Sequence, residues 1–158
     1  MLTLTQVLEP SDDVCFLIYQ GPLRLIVAYR SRIGDVPVRE FLENSDVCAK
    51  ARYMLKFKKM CENGPLRGDE FRTLKVKQHK EAKGLSEFKD ISSKSRILAV
   101  NDGERSQLVL LHGFTGKKED DIKAQEILMA DRYRRDYESR VAHVYVRIDA
   151  AHGRRGKP

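Results

Sequence analysis

The sequence predicts an α+β domain with helices segregated to one face of a mostly antiparallel sheet. Three observations predict it. The hydrophobic period changes along the chain, from two short strand-like runs to two helical stretches, then back to strand-like runs and a final helix. The length, 158 residues, falls within the roughly 100–200 residues usual for one domain. Hydrophobic residues make up 41% and charged residues 34%, too apolar for a disordered chain and heavily charged for a compact one.

Each element has its own signal. Residues 14–19 (VCFLIY) form an apolar run that ends in the turn signal Gly21-Pro22. Residues 23–30 follow, with Leu23, Leu25, Val27 and Tyr29 alternating against Arg24 and Arg30, so the two runs are expected to pair as strands. A first helix is expected with Asp35 as its cap and Pro37 in its first turn, where the missing N–H costs nothing. Val38, Phe41 and Leu42 would share its inner face. Ser45 or Asp46 can cap a second helix, in which Val47, Ala51, Met54, Leu55 and Met60 recur at helical spacing and Gly64-Pro65 supply the stop. Lys50, Arg52, Lys56, Lys58 and Lys59 read as its solvated face.

Four strands are expected in the second half, at 72–76, 84–91, 95–100 and 106–114, with Asp102-Gly103 as a hairpin signal between the last two. A long helix follows, opened by Glu119, Asp120 and Asp121 and closed by Arg132, Arg134, Arg135 and Arg140, the order a helix dipole prefers. Ile122, Ile127, Ala130, Tyr133 and Tyr137 would face the core. Residues 142–148 (AHVYVRI) look strand-like, and the basic, Gly-rich end after them is expected to be disordered.

Composition narrows the function. Lys and Arg outnumber Asp and Glu by 30 to 23, a net charge of +7, which suits a polyanion partner. No apolar run approaches 18 residues, so no membrane span is expected, and the early Glu9 argues against a secretory signal. Cys15, Cys48 and Cys61 are odd in number and widely spaced, which points to a reducing compartment and a cytoplasmic chain. No Cys/His set has zinc spacing, and neither a metal nor another cofactor is expected.

Positive charge collects in the sheet half. Between Arg72 and Arg96 there are eight basic residues, Arg72, Lys75, Lys77, Lys80, Lys83, Lys89, Lys94 and Arg96, against Glu81, Glu87 and Asp90. Lys117 and Lys118 follow the last strand. Alternation puts Leu85, Glu87 and Lys89 on one face, and Arg96 with Leu98 on one side of the next strand. A sheet carrying Lys89 and Arg96, rimmed by Lys117 and Lys118, can hold an RNA phosphate; ordinary surface charge is the competing reading. RNA is cleaved without metal when its own 2′-OH attacks the adjacent phosphate. Fixed Lys and Arg stabilise the charge that develops, and a Lys among cations or a His can move the proton. His112 lies inside an apolar strand, where a structural role competes with a catalytic one. His79 sits in a loop, where a phosphate contact or solvent exposure is favoured over catalysis.

PVREFLENSD, NGPL, KGLSEFKDI, SRILAV, LVLLHGFTGKKED and EILMADRYRRDY occur in one order. Together they resemble the HigB-like branch of the RelE/ParE toxin superfamily, across residues 22–140. The resemblance implies the microbial ribonuclease variety of the α+β fold, with two N-terminal helices and a C-terminal helix on the sheet. Residues 1–21 would be an extension that adds one edge strand, and 141–158 a C-terminal extension. It also implies the toxin of a toxin–antitoxin pair: a metal-independent endonuclease that cuts messenger RNA on the ribosome, neutralised by a helix-turn-helix antitoxin. By position, Lys89 resembles the cation on the scissile phosphate, Arg96 the transition-state arginine, and Lys117 and Lys118 the basic residues after the last strand. Glu87 stands where RelE has a second lysine, and no Tyr or His follows Lys118 until Tyr133, which leaves the general acid unassigned. The same fold serves a ParE-like gyrase inhibitor, or a decayed toxin kept as a partner-binding module. RNA binding without cleavage is a further alternative, disfavoured by the lack of an aromatic stacking pair on the strands.

Overall fold

The structure is a computed structural model that describes residues 14–64, 66–75, 79–116 and 122–153, with 143–153 as backbone only. It is an α+β domain built on one six-stranded sheet. The strands are β1 (Cys15–Gln20), β2 (Leu25–Tyr29), β3 (Phe71–Thr73), β4 (Leu85–Asp90), β5 (Ser95–Asp102) and β6 (Gln107–Thr115). The helices are α1 (Pro37–Asn44), α2 (Val47–Glu62) and α3 (Ala124–Gly153). The sheet order is β1-β2-β6-β5-β4-β3, and every pair is antiparallel except β2 with β6. The expected first hairpin forms, with Cys15 opposite Tyr29 and a bulge between Leu17 and Tyr19.

The helices do not share one face. Val38, Leu42, Tyr53, Phe57 and Met60 of α1 and α2 pack with Ile26, Ala28, Phe88, Ile97, Ala99, Leu108 and Leu110 on one side. Ile127, Ala130 and Tyr137 of α3 pack with Val27, Tyr29, Leu85, Leu98, Val109 and Leu111 on the other. That arrangement explains why β2 and β6 read as continuous apolar runs: both their faces are covered.

Local chemistry sets the boundaries. Val36, not Asp35, is the first cap; it makes no side-chain bond, and Pro37 follows it at the start of α1. Asp46 caps α2 and accepts from the Cys48 N–H at 2.9 Å. The inner stripe of α2 is Ala49, Tyr53, Phe57, Met60 and Cys61, so Val47 (82% exposed) and Leu55 (54%) face outward instead of inward. Two stripes compete on this helix, and the one carrying three bulky side chains goes to the core. Gly64 follows the helix with φ +98°, the left-handed conformation that glycine adopts without strain.

Residues 142–148 are helical, a correction to the expected strand. No Gly or Pro interrupts the chain between Gly116 and Gly153. The β-branched residues near its end cost only tenths of a kcal/mol each in a helix already formed, roughly half a kcal/mol at most. The Asp136–Arg140 pair, one turn apart, adds support. Glu119, Asp120, Asp121 and the tail from 154 lie outside the described residues. Among the described residues no helix is long and apolar enough to cross a membrane. Of the three cysteines, Cys48 is exposed, Cys15 half-buried and Cys61 buried.

Candidate functional site

The register brings the principal candidate side chains onto the α3 face, at the end of the sheet where β4 finishes. Lys89 lies opposite Arg96, and Arg96 opposite Phe114, so these three form a row across β4, β5 and β6. Two residues along the strands, Arg72, Glu87, Leu98 and His112 form a second row across four strands. A bulge in β6 makes this possible. Ala99 pairs with Leu110 and Leu98 with His112, so Leu111 is the extra residue. The side chains of His112 and Phe114 therefore both reach the α3 face, while Gly113 between them lies under α1. A Cβ on Gly113 would overlap the Phe41 ring, so glycine is what lets α1 lie on β6.

Glu87 is the centre of the cationic group. It is fully buried, and it accepts from Arg72 Nε at 2.7 Å and from Arg96 Nη1 at 2.9 and 2.8 Å. Lys89 Nζ is 3.8 Å away. A buried carboxylate needs such partners, and in return it holds the two guanidinium groups at fixed positions. Burial of Arg96 is nearly complete, its side chain being 10% exposed, against 12% for Lys89 and 31% for Arg72.

Beside this group His112 Nε2 pairs with Glu126 Oε2 from the first turn of α3. The His112 ring stacks on Phe114, with centroids 5.7 Å apart, and meets Tyr133 edge-on at 6.3 Å. Tyr133 stacks on Tyr29 at 5.0 Å. Burial raises the Tyr29 hydroxyl far above its ordinary value, helped by its hydrogen bond to Asp136 at 2.6 Å.

On the opposite face Asp90 closes the same end of the sheet. Its carboxylate accepts from Arg52 Nε and Nη2 at 2.7 and 3.0 Å and from Ser93 Oγ. Burial alone would raise its pKa, but the bonds from Arg52 and Ser93 outweigh that and hold it below the ordinary 3.8. Arg52 and Lys56 are thus tied to the sheet rather than lying on a solvated face; Lys56 Nζ also donates to the Lys89 carbonyl, and burial lowers its pKa.

The remaining expected residues divide. Lys94, exposed in the β4–β5 turn, joins the site's rim, because its carbonyl accepts from the Gly116 N–H at 3.1 Å. Lys75, His79, Lys80 and Lys83 lie beyond the other end of β4. Leu85 alone is four residues, about 13 Å of strand, from Lys89. There the carbonyls of Glu81 and Lys83 accept from Arg134 of α3. These four side chains are therefore not part of one surface with Lys89 and Arg96. Lys77, Lys117 and Lys118 lie outside the described residues.

Sequence reasoning missed Glu126, Phe114 and Tyr133 as neighbours of His112. The signal for Glu126 was present: it precedes Ala130, Tyr133 and Tyr137 by 4, 7 and 11 residues, the spacing of one helix face. The bulge that places Phe114 leaves no comparable trace in the sequence.

No protein-family model, curated protein or solved structure matches this chain.

Proposed function

We propose that this chain is a metal-independent endoribonuclease of the RelE/HigB kind, a toxin that cuts messenger RNA on the ribosome and is neutralised by a partner antitoxin. One observation carries the reading: Lys89 and Arg96 stand side by side on the sheet, next to a His112–Glu126 pair. That set offers what cleavage by a 2′-OH needs. Glu126 engages Nε2 of His112, so Nδ1 is the atom that takes the 2′-OH proton. The 2′-oxygen then bonds to phosphorus as the bond to the 5′-oxygen breaks, and the departing oxygen takes a proton from water. Lys89 and Arg96 stabilise the charge on the phosphoryl oxygens. Glu87 acts as a positioning residue for Arg96.

A second reading is favoured by one observation: Arg96 is buried and held by both Glu87 oxygens, as a purely structural arginine would be. In that case the chain is a partner-binding module or a gyrase inhibitor on the same fold. The test is expression of this chain in a bacterial host, with transcript 5′ ends mapped within minutes of induction. New ends that require translation of the message, and that vanish in Lys89→Met and His112→Gln, are the expected result. Cuts retained in both variants would remove the site assignment. Growth arrest with intact transcripts would overturn cleavage, and accompanying DNA damage would point to gyrase.

A further inference from the structure

Four rings follow one another along the α3 face: Tyr29, Tyr133, His112 and Phe114. Their centroid separations are 5.0, 6.3 and 5.7 Å. The Tyr29 end is anchored, with that residue 4% exposed and bonded to Asp136. The Phe114 end is only partly buried, and the exposed Thr115 and Gly116 come directly after it. The cross-strand neighbour of this last ring is Arg96, and the next is Lys89. The residue types thus change, within one row, from aromatic to cationic.

We propose that Phe114 is a stacking platform for a nucleobase, placed so that the phosphate of the same nucleotide lies on the Lys89–Arg96 side of the row. The inference rests on the reading of this site as an RNA site and adds to it the part of the substrate that the cations do not reach. Adjacent strands are about 4.8 Å apart, on the scale of the reach from a nucleotide's phosphate to its base. Every base presents a π-face, so the platform holds RNA in register without choosing among the four bases. The parallel His112–Phe114 stack, with 25° between planes, keeps the Phe114 ring in a fixed plane for the incoming base. It also puts the proton-transfer group beside the nucleotide that is held.

The test uses short 2′-deoxy oligonucleotides, which lack the attacking hydroxyl and stay intact, each paired with an abasic version of equal charge. Affinity is read by fluorescence anisotropy for the whole chain and for Phe114→Leu and Phe114→Tyr. The expected result is that the unaltered chain prefers the base-bearing oligonucleotide about tenfold or more. Phe114→Leu should erase that preference and leave the abasic affinity unchanged, whereas Phe114→Tyr should keep it. Equal affinity of the unaltered chain for both oligonucleotides would overturn the platform, and so would a preference that survives Phe114→Leu. If the leucine variant fails to fold, Phe114→Met takes its place in the same comparison, and equal affinity of the unaltered chain for the two oligonucleotides overturns the platform without any variant. The cleavage reading fails separately: a Phe114-dependent base preference in a chain that never cuts transcripts would retain the platform and remove the nuclease.

Discussion

Replacing Glu87 with Gln keeps the size of the side chain and removes its charge. Glu87 is fully buried, with Arg72 at 2.7 Å, Arg96 at 2.8 Å and Lys89 at 3.8 Å. Removing one partner of a buried ion pair costs about 3–5 kcal/mol, because the others are left without their counter-charge. Arg72 is 31% exposed and rehydrates, so the lower end, about 3 kcal/mol, is expected. For a chain of this size that lowers Tm by roughly 6–12 °C. Arg96→Met on its own leaves Glu87 with Arg72 and Lys89, at a cost of about 2–3 kcal/mol. The double variant loses the pair once, not twice. Its cost should be about 3–4 kcal/mol, leaving a coupling of about 2 kcal/mol. Urea unfolding of the four proteins at one pH, followed by circular dichroism, measures each quantity. Additivity within about 0.5 kcal/mol would refute the reasoning, because Glu87 and Arg96 would then not act as a pair in the folded protein.

Three further outcomes follow from the same geometry. Gly113→Ala drives a Cβ into the Phe41 ring, and overpacking of this kind costs about 1–3 kcal/mol; a thermal melt equal to that of the unaltered chain would show that α1 yields freely. Phe57→Ala removes a fully buried ring lying 5.0 Å from Phe88 and 6.2 Å from Tyr53, and should cost about 3–5 kcal/mol in urea unfolding, with a smaller loss showing that the core closes over the cavity. The Asp90 carboxyl is held below 3.8 in the folded chain, so the unfolded chain binds its proton first as the pH falls; the stability from Asp90 is present above that value and is lost as the pH drops through the folded pKa. Asp90→Asn should therefore flatten the acid limb of the stability profile, and an unchanged limb would mean that other carboxylates set it.

The strands were legible in the sequence because their apolar runs are short and bounded by Gly, Pro and Asp, as at Gly21-Pro22 and Asp102-Gly103. Alternation also placed Glu87, Lys89 and Arg96 correctly on one face. Which faces carry helices was not legible. The continuous runs LIVAY and LVLL show that both sides are covered, yet a run of that length reads the same whether its cover is a helix or another sheet. The phase of α2 failed for a different reason: Val47 and Leu55 repeat at helical spacing just as Tyr53 and Phe57 do, and only packing volume separates the stripes. Charge density misled as well. Eight cations between Arg72 and Arg96 look like one patch in sequence, but β4 carries Lys83 and Lys89 to opposite ends of the sheet. A carboxylate helps to sort them, since Glu87 fixes Arg72 and Arg96 in place.

Stability and chemistry overlap at Arg96, and at Lys89 a melt tells them apart. Loss of Arg96 disturbs the buried Glu87, so loss of activity in such a variant would not distinguish a missing catalytic group from a weakened fold. Lys89 stands 3.8 Å from Glu87, in the row of Arg96 and facing the same side. Lys89→Met keeps the aliphatic stem and leaves Glu87 its two guanidinium partners, so it should cost less than the about 3 kcal/mol of Glu87→Gln, while removing the charge that phosphate would meet. A variant that melts within a few degrees of the unaltered chain, yet leaves transcripts whole, would place the chemistry on this row; one that melts normally and still cuts would take Lys89 out of it.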